Sequence, residues 1–482
     1  MSPHHVETDC FRRQSDEFIR WLAQKPGVRI NPKIKVTDLR SQGSGRGVVA
    51  LSNISNGEEL FAIPRNVVLS VNNSRFKNLI SQSLEDLGPW LSLVVVMIYE
   101  YLLSEDSAWS AYFQVLPTSF DTLMFWSKSE LSELQASAIV NRIGKQDAED
   151  SVLELVAPIV RSNPTLFPPL ERLSSYEGTD GNNALLDLAH RMGSLIMAYA
   201  FDIEDDTHDS SDEDGYVTDD EQLPKGMVPL ADLLNADADR NNARLFQEEK
   251  FLVMRSINDI KAGEELLNDY GQIPRADLLR RYGYITANYA KYDVVELPLG
   301  IICEAAGLDD AKLKDQAPLQ FLEDLGILDD GYSVSKPSSN QSLAEYFPVE
   351  LLSLINTLTL TREQLLEYRS KNSPPDPVLR PPQAHLLLQA VQRRWLQYAT
   401  SIEQDIGILG SLLHTESMQV LERSLHRKRM AIYVRIGEKE ILRQLSTTLT
   451  NFISISGANS STKRNAQSDD DERPSKVRSR TE

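Results

Sequence analysis

The densest concentration of chemically useful side chains lies between Met227 and Tyr284. One part, Met227-Val-Pro229-Leu-Ala-Asp232-Leu-Leu-Asn235-Ala236-Asp237, is an apolar run ending in carboxyl and amide groups. The other is Asn268-Asp269-Tyr270-Gly271, followed by Arg280-Arg281-Tyr282-Gly283-Tyr284. Two of these tyrosines precede a glycine, whose missing Cβ lets another stretch of chain approach the ring. An aromatic-walled channel with hydroxyls at one end suits a lysine side chain, its alkyl stem against rings and its nitrogen held by oxygens. Buried strand tyrosines with bonded hydroxyls are the commoner use of such residues, and at this point both readings stand.

Other chemistries are excluded on spacing. Ser44-Gly45-Arg46-Gly47 contains part of a dinucleotide glycine pattern, but the β-type residues Val48-Val49-Ala50-Leu51 follow where a phosphate-binding helix should start. There is no P-loop and no HExxH, and the seven histidines are scattered. Asp237-Ala-Asp239-Arg-Asn241 with Glu248 mimics a calcium loop, but Asn242 stands where the sixth-position glycine is required. No metal site is expected.

The elements that must position these residues form a β-rich block, a helical block and a second β-rich block. A helix is expected around Asp16 to Gln24, ending at Pro26-Gly27. Strands are expected at 48–51, 60–63 and 67–71, then again from Val228, with a hairpin over 243–247 and 251–257. Between them, Leu91, Val94, Val95, Ile98, Tyr99 and Leu102 have the spacing of an amphipathic helix, and more helices are expected over 129–145, 147–160 and 183–201. Asn53 to Leu60 recurs as Asp259 to Leu266 with five of eight positions identical. The echo predicts two equivalent corners of one small sheet domain, with the helices between them as an insertion. The boundaries read as 1–27 N-terminal helical segment, 28–75 first β part, 76–201 helical insertion, 202–225 acidic disordered loop, 226–290 second β part, 291–455 helical C-terminal domain and 456–482 disordered tail. Pro374-Pro375-Asp376-Pro377 with Pro381-Pro382 reads as a linker within the helical domain.

Composition narrows the class. The 482 residues carry 50 basic and 70 acidic side chains, a net charge of −20, which disfavours a nucleic-acid groove and fits a basic protein partner. Simple solubility is the alternative explanation of that charge. Eleven of the 21 residues from Asp202 to Gln222 are acidic. Two cysteines exclude a disulfide framework, and no apolar run approaches the roughly 20 residues of a membrane span. Lys463-Arg464 and Arg473-Pro474-Ser475-Lys476-Val477-Arg478 form two basic clusters that predict nuclear import, unless the tail is merely solvated.

The glycine turn, the PLADLLN segment, NDYG and RRYGY occur in this order, with a long helical insertion after the first. Together with Phe113-Gln-Val-Leu-Pro117, Met124-Phe125-Trp126 and Leu195-Ile-Met-Ala-Tyr199-Ala-Phe201, they make the chain resemble the SET-domain protein lysine methyltransferases. The resemblance is to the branch with a C-terminal domain of the Rubisco large-subunit methyltransferase type, over roughly residues 15 to 450. It implies an α+β fold: a SET β-clip of short, pseudo-knotted sheets interrupted by a helical insertion, then an all-α substrate-binding domain. It also implies S-adenosylmethionine as methyl donor, held by Ser44, Gly45, Arg46, Gly47, Tyr199, Asn235, Ala236 and Tyr270. Trp90, Phe201, Tyr282 and Tyr284 would meet the substrate. Most relatives have Asn-His where this chain has Asn235-Ala236, a change that a backbone contact survives and an imidazole contact does not.

Tyr270 is the expected catalytic residue, its hydroxyl orienting methyl group and amine. A free lysine titrates near 10.4, and an apolar channel beside a positive sulfonium disfavours its ammonium form. Tyrosine at both 282 and 284 leaves less room for added methyl groups, so monomethylation is expected. The nearest resemblance implies a large-subunit ribosomal protein as substrate, with a histone or other nuclear protein as second choice. A monomer bound to neither membrane nor nucleic acid is expected. A non-catalytic SET scaffold binding a basic partner is the alternative from another class.

Overall fold

The computed structural model describes residues 3–80, 84, 86–171, 173–203, 223–308, 316–338, 341–416 and 423–468, and not the side chains of 3–8, 413–416 and 457–468. The acidic stretch 204–222 and the basic cluster at 473–478 lie outside the described residues. The chain forms two compact units: 1–126 with 141–273 and 277–289, and 127–140 with 274–276 and 290–482.

The strands of the first unit are β1 (Arg29–Ile30), β2 (Ile34–Asp38), β3 (Arg46–Ala50), β4 (Glu59–Pro64), β5 (Leu69–Ser70), β6 (Ala200–Asp202), β7 (Lys225–Met227), β8 (Asn235–Ala236), β9 (Ala243–Gln247), β10 (Phe251–Ser256) and β11 (Glu265–Asn268). They build three small sheets, ordered β1-β4-β10-β9, β2-β3-β11-β8 and β5-β7-β6. β4 lies between β1 and β10 and buries Leu60, Phe61, Ala62 and Ile63 in succession, the continuous apolar run of a strand covered on both faces.

The repeated octapeptide is the hinge of this arrangement. Ile54 and Ile260 exchange both backbone hydrogen bonds at 2.9 Å. The Asn56 N–H donates to Asp259 Oδ1, and the equivalent Ala262 N–H donates to Asn53 Oδ1. Gly57 N–H reaches the Ser256 carbonyl, and Gly263 N–H the equivalent Ala50 carbonyl. The two copies thus pair around a local two-fold axis, as the echo predicts.

Between the copies runs the helix Gly88–Leu102. Every residue from Ser92 to Glu100 is buried, so it is a core helix rather than the amphipathic one its spacing suggests. Its one buried acid, Glu100, accepts hydrogen bonds from Ser74 and Ser107 hydroxyls. The helices Pro3–Ala23 and Gly178–Tyr199 complete the unit.

The second unit is helical, with one addition that the leucine-rich pattern does not foreshadow: strands β12 (Val294–Pro298) and β13 (Gly331–Ser335) pair antiparallel. The proline-rich stretch is not a separator, because Pro381 opens the helix Pro381–Leu396 and the Asn356 amide holds the Val378 carbonyl. Residues 127–140, expected within the insertion, group with this unit. Glu130 pairs with Arg427, Glu133 with Lys428 and Arg435, and Ser137 donates to Glu438. The last helix, Arg423–Ser468, runs past the expected end of order at 455, since no proline occurs before Pro474 to stop it.

Candidate active site

One sheet gathers the three motif segments. β3, which begins at Arg46, pairs antiparallel with β11 through Val48–Leu266 and Val49–Glu265. β8 pairs parallel with the other edge of β11, Asn235 opposite Leu267 and Ala236 opposite Asn268. The glycine turn, the PLADLLN segment and the strand leading into Tyr270 therefore lie side by side.

The packing at that junction explains its residue types. A Cβ on Gly47 would sit 2.4 Å from a Leu39 methyl and 2.6 Å from Glu265 Oε1, so only glycine fits. Gly45 has nothing within 4 Å of where a Cβ would be, which leaves that side of the turn open to a ligand. The Asn235 amide donates to Glu265 Oε1 at 2.7 Å and to the Arg46 carbonyl at 3.3 Å, tying the segments together. The Arg46 side chain points away from that junction, toward Gln14, Ser15 and the Val115 carbonyl. Just upstream, buried Leu230 holds φ at +78°, a strained conformation costing about 1–3 kcal/mol.

The tyrosines converge, but not on strands. Tyr270 follows β11, Tyr282 ends the helix Arg275–Tyr282, and Tyr284 lies beyond it. Tyr270 and Tyr282 stack with ring centroids 4.0 Å apart and planes 5° from parallel, while Tyr284 meets Tyr282 edge-on at 6.4 Å. Gly283 turns the chain with φ +76°, and its Cβ would fall 2.8 Å from the Thr122 backbone nitrogen. That close approach is the use of glycine beside tyrosine that the sequence suggests. All three tyrosines are half-buried.

Electrostatics tie two more tyrosines to them. Burial first, then Tyr284, Tyr282, Tyr199 and Tyr289, hold the Tyr270 hydroxyl well above its ordinary titration range. Burial, Asp232 and Tyr282 push Tyr199 up to about 12, and burial with Tyr289 and other neighbours raises Tyr284. At neutral pH these hydroxyls are neutral. They can accept from or donate to an amine, but none is a general base.

Asp232 sits behind this cluster. It is buried, its Oδ2 accepts from the Tyr112 hydroxyl, its Oδ1 has no hydrogen-bond partner, and burial pushes its pKa up to about 7. Asp237 is different: burial would raise it, but Arg240 and the N–H groups of Asp239 and Arg240 bring it below the usual range. Its oxygens are taken by that turn and by the Asn288 amide, and no metal-holding group occurs among the described residues.

Phe201 lies on β6 opposite Gly226, two residues from Tyr199. Trp90 opens the helix Gly88–Leu102 and faces Gly193 of the helix that ends at Tyr199. No ring contact joins either to the tyrosine cluster. Ala236 offers only a methyl group and its backbone. Tyr112, Tyr289, Glu265 and the role of Asp232 escape sequence reasoning. Only the contrast of an acid within the apolar run PLADLLN hints at the last.

Comparison with known proteins fits this architecture. Residues 45–271 match the SET domain family, and residues 313–442 match the Rubisco LSMT substrate-binding family. Ribosomal lysine N-methyltransferase 4 of Saccharomyces cerevisiae is 35% identical over 310 residues, 62% of this chain and 60% of that protein. N-lysine methyltransferase setd6 of Xenopus laevis is 27% identical over 461 residues, 89% of this chain and 93% of that protein. The fold matches Rubisco LSMT bound to sinefungin and monomethyllysine with a TM-score of 0.64 at 24% identity, over 94% of this chain and 92% of that one. The chain thus carries a SET domain followed by a Rubisco LSMT-type substrate-binding domain. Both of these sequence relatives are named as lysine N-methyltransferases.

Proposed function

We propose that this chain monomethylates a lysine of a large-subunit ribosomal protein at the recess formed by Tyr199, Tyr270, Tyr282, Tyr284 and Tyr289. The single observation carrying the site assignment is the convergence of these tyrosines beside the β3–β11–β8 junction. The methyl donor fits that junction. Gly45 leaves one side of the turn open, Gly47 excludes any side chain, and the backbone of Asn235 and Ala236 lies on the neighbouring strand.

S-adenosylmethionine, when bound, supplies a methyl group on a positively charged sulfur. The chain's own residues do the rest. The turn of Ser44, Gly45, Arg46 and Gly47, with Asn235, Ala236 and Tyr199, holds the methyl donor. The aromatic walls exclude water and disfavour an ammonium, so the lysine enters as a neutral amine. The Tyr270 hydroxyl orients that amine, and holding it in line is worth several powers of ten in rate. Phe201, Tyr282 and Tyr284 line the channel, and Trp90 touches the substrate protein. With no base among the tyrosines, the lysine gives its proton to bulk water before it enters the channel.

A ribosomal substrate is supported by the name of the yeast relative and by the net charge of −20, which suits a basic protein. A histone or other nuclear protein is the second reading, favoured by the longer match to the setd6 relative, whose name specifies no ribosomal target. The basic clusters of the tail support a nuclear location, and we take the chain to act as a monomer. Among the described residues, no helix is long and apolar enough to cross a membrane. The test is radiolabelled methyl transfer into separated ribosomal proteins and histones. Label on one ribosomal protein supports the reading, and label on histones alone replaces it with the second.

A further inference from the structure

The glycine turn carries a side chain that no contact to a methyl donor explains. Arg46 sends its guanidinium into the helix Pro3–Ala23: Nε donates to Ser15 Oγ at 3.0 Å, and Nη2 to Gln14 Oε1 at 3.0 Å and the Phe11 carbonyl at 3.4 Å. Nη1 donates to the Val115 carbonyl at 3.1 Å, and the guanidinium carbon lies 3.7 Å from the Phe11 ring centroid. These bonds engage four of the five donors of the arginine fork at a half-buried position. Burial here lowers the Arg46 pKa to about 10, still charged at neutral pH.

The rest of the helix is anchored differently. Phe18 and Leu22 are fully buried, and Phe18 and Trp21 both stack with Tyr112. Beside these anchors is an open pocket of about 150 Å³, lined among others by Ser15, Ile19, Val36, Val48 and Leu230. That pocket borders both β3, at Val48, and the PLADLLN segment, at Leu230. Near the glycine turn, the helix is held by the Arg46 contacts and by Arg40, whose guanidinium carbon lies 4.1 Å from the Phe11 ring centroid.

We propose that the N-terminal helix is a positioning element for the methyl-donor site. Arg46 ties the glycine turn to Gln14, Ser15 and Phe11, so that docking of the helix sets affinity for the methyl donor. The inference rests on the assignment of residues 44–47 to that donor. Coupling of this kind is reciprocal: whatever loosens the helix weakens binding, and binding tightens the helix.

The decisive variant is Phe11→Ala with Gln14→Ala in the full chain, which removes the ring and the amide acceptor and leaves Phe18 and Leu22 in place. The S-adenosylmethionine dissociation constant, by calorimetry, is expected to rise about tenfold, within the usual span of site-to-site coupling. Melting without ligand should move by no more than about 4 °C. Phe11→Tyr with Gln14→Glu should restore affinity, because it keeps a ring and an acceptor. A second measurement needs no variant. Cys10, half-exposed and one turn before Gln14, should react more slowly with a maleimide once S-adenosylhomocysteine saturates the protein, while Cys303 is buried throughout. Unchanged affinity in the double variant, or an unchanged Cys10 rate, overturns the inference. Gly45→Val separates the two levels, since it fills the open side of the turn. If Gly45→Val binds the methyl donor as well as the parent, the site assignment itself fails. If it weakens binding and the helix variant does not, only the role of the helix fails.

Discussion

Replacing Asp232 with asparagine should change the stability of the first unit in a pH-dependent way. The carboxyl is buried, bonded on one side by Tyr112 and unpartnered on the other, with its pKa pushed up to about 7. In the unfolded chain an aspartate titrates near 3.9. Between those values the folded protein holds a proton that the unfolded chain has lost. Stability is therefore fully present below about pH 4 and falls as pH rises, by about 1.4 kcal/mol per unit, levelling off above about 7. The whole window is worth up to about 4 kcal/mol. Asparagine keeps an acceptor for Tyr112 and cannot ionise. Its amide N–H₂ meets no partner where Oδ1 lies, a cost of about 1–3 kcal/mol that does not vary with pH. The stability of the parent minus that of Asp232→Asn should thus fall steeply from pH 5 to 7 and flatten by pH 8. Urea unfolding followed by tryptophan fluorescence reads this unit, since Trp21, Trp90, Trp109 and Trp126 belong to it and only Trp395 does not. A difference constant across pH 5 to 8 would refute the reasoning that Asp232 is neutral in the folded protein at acid pH.

Three further outcomes are expected. Gly283→Ala forces a Cβ to 2.8 Å from the Thr122 nitrogen at φ +76°, so melting should fall by an amount equivalent to about 2–4 kcal/mol, and methyl transfer with it. An unaffected variant would mean the Tyr282–Tyr284 turn is free to shift. Asp405→Ala removes the buried carboxylate shared by Arg435 and Lys439, leaving them Glu133 and the Thr400 carbonyl, and should destabilise the second unit by about 3 kcal/mol in denaturant titration; a loss below about 1 kcal/mol would contradict that. Tyr284→Phe should move products toward di- and trimethyllysine in mass spectra of the substrate, and unchanged product ratios would remove the case for monomethylation.

The sheet residues were legible because their chemistry is local. The hairpin of 243–247 with 251–256 stands where β-type residues flank Glu248-Glu249-Lys250, and the octapeptide echo locates the Ile54–Ile260 pairing across some 200 residues. The tyrosines and the glycine turn were legible through their motifs. Tertiary context hid the rest. The helix Gly88–Leu102 has an amphipathic spacing, yet Ser92 to Glu100 are all buried, and Ser74 and Ser107 satisfy its one buried acid, Glu100. Residues 127–140 read as part of the insertion, but their partners Arg427, Lys428 and Arg435 lie nearly 300 positions away, where no pattern in the segment points. The destination of Arg46 was equally invisible, since a turn residue seldom reveals which distant helix receives its side chain.

The central claim is that Tyr270 and its neighbours form the methyl-transfer site. It is tested most directly by comparing the parent and Tyr270→Phe in two assays on the same preparations: calorimetric binding of S-adenosylmethionine, and methyl transfer into the labelled substrate protein. The account predicts a loss of rate of roughly a hundredfold or more, as expected when a reacting group is misplaced, with the donor still bound. Transfer within threefold of the parent would contradict it and move the chemistry away from the tyrosine cluster.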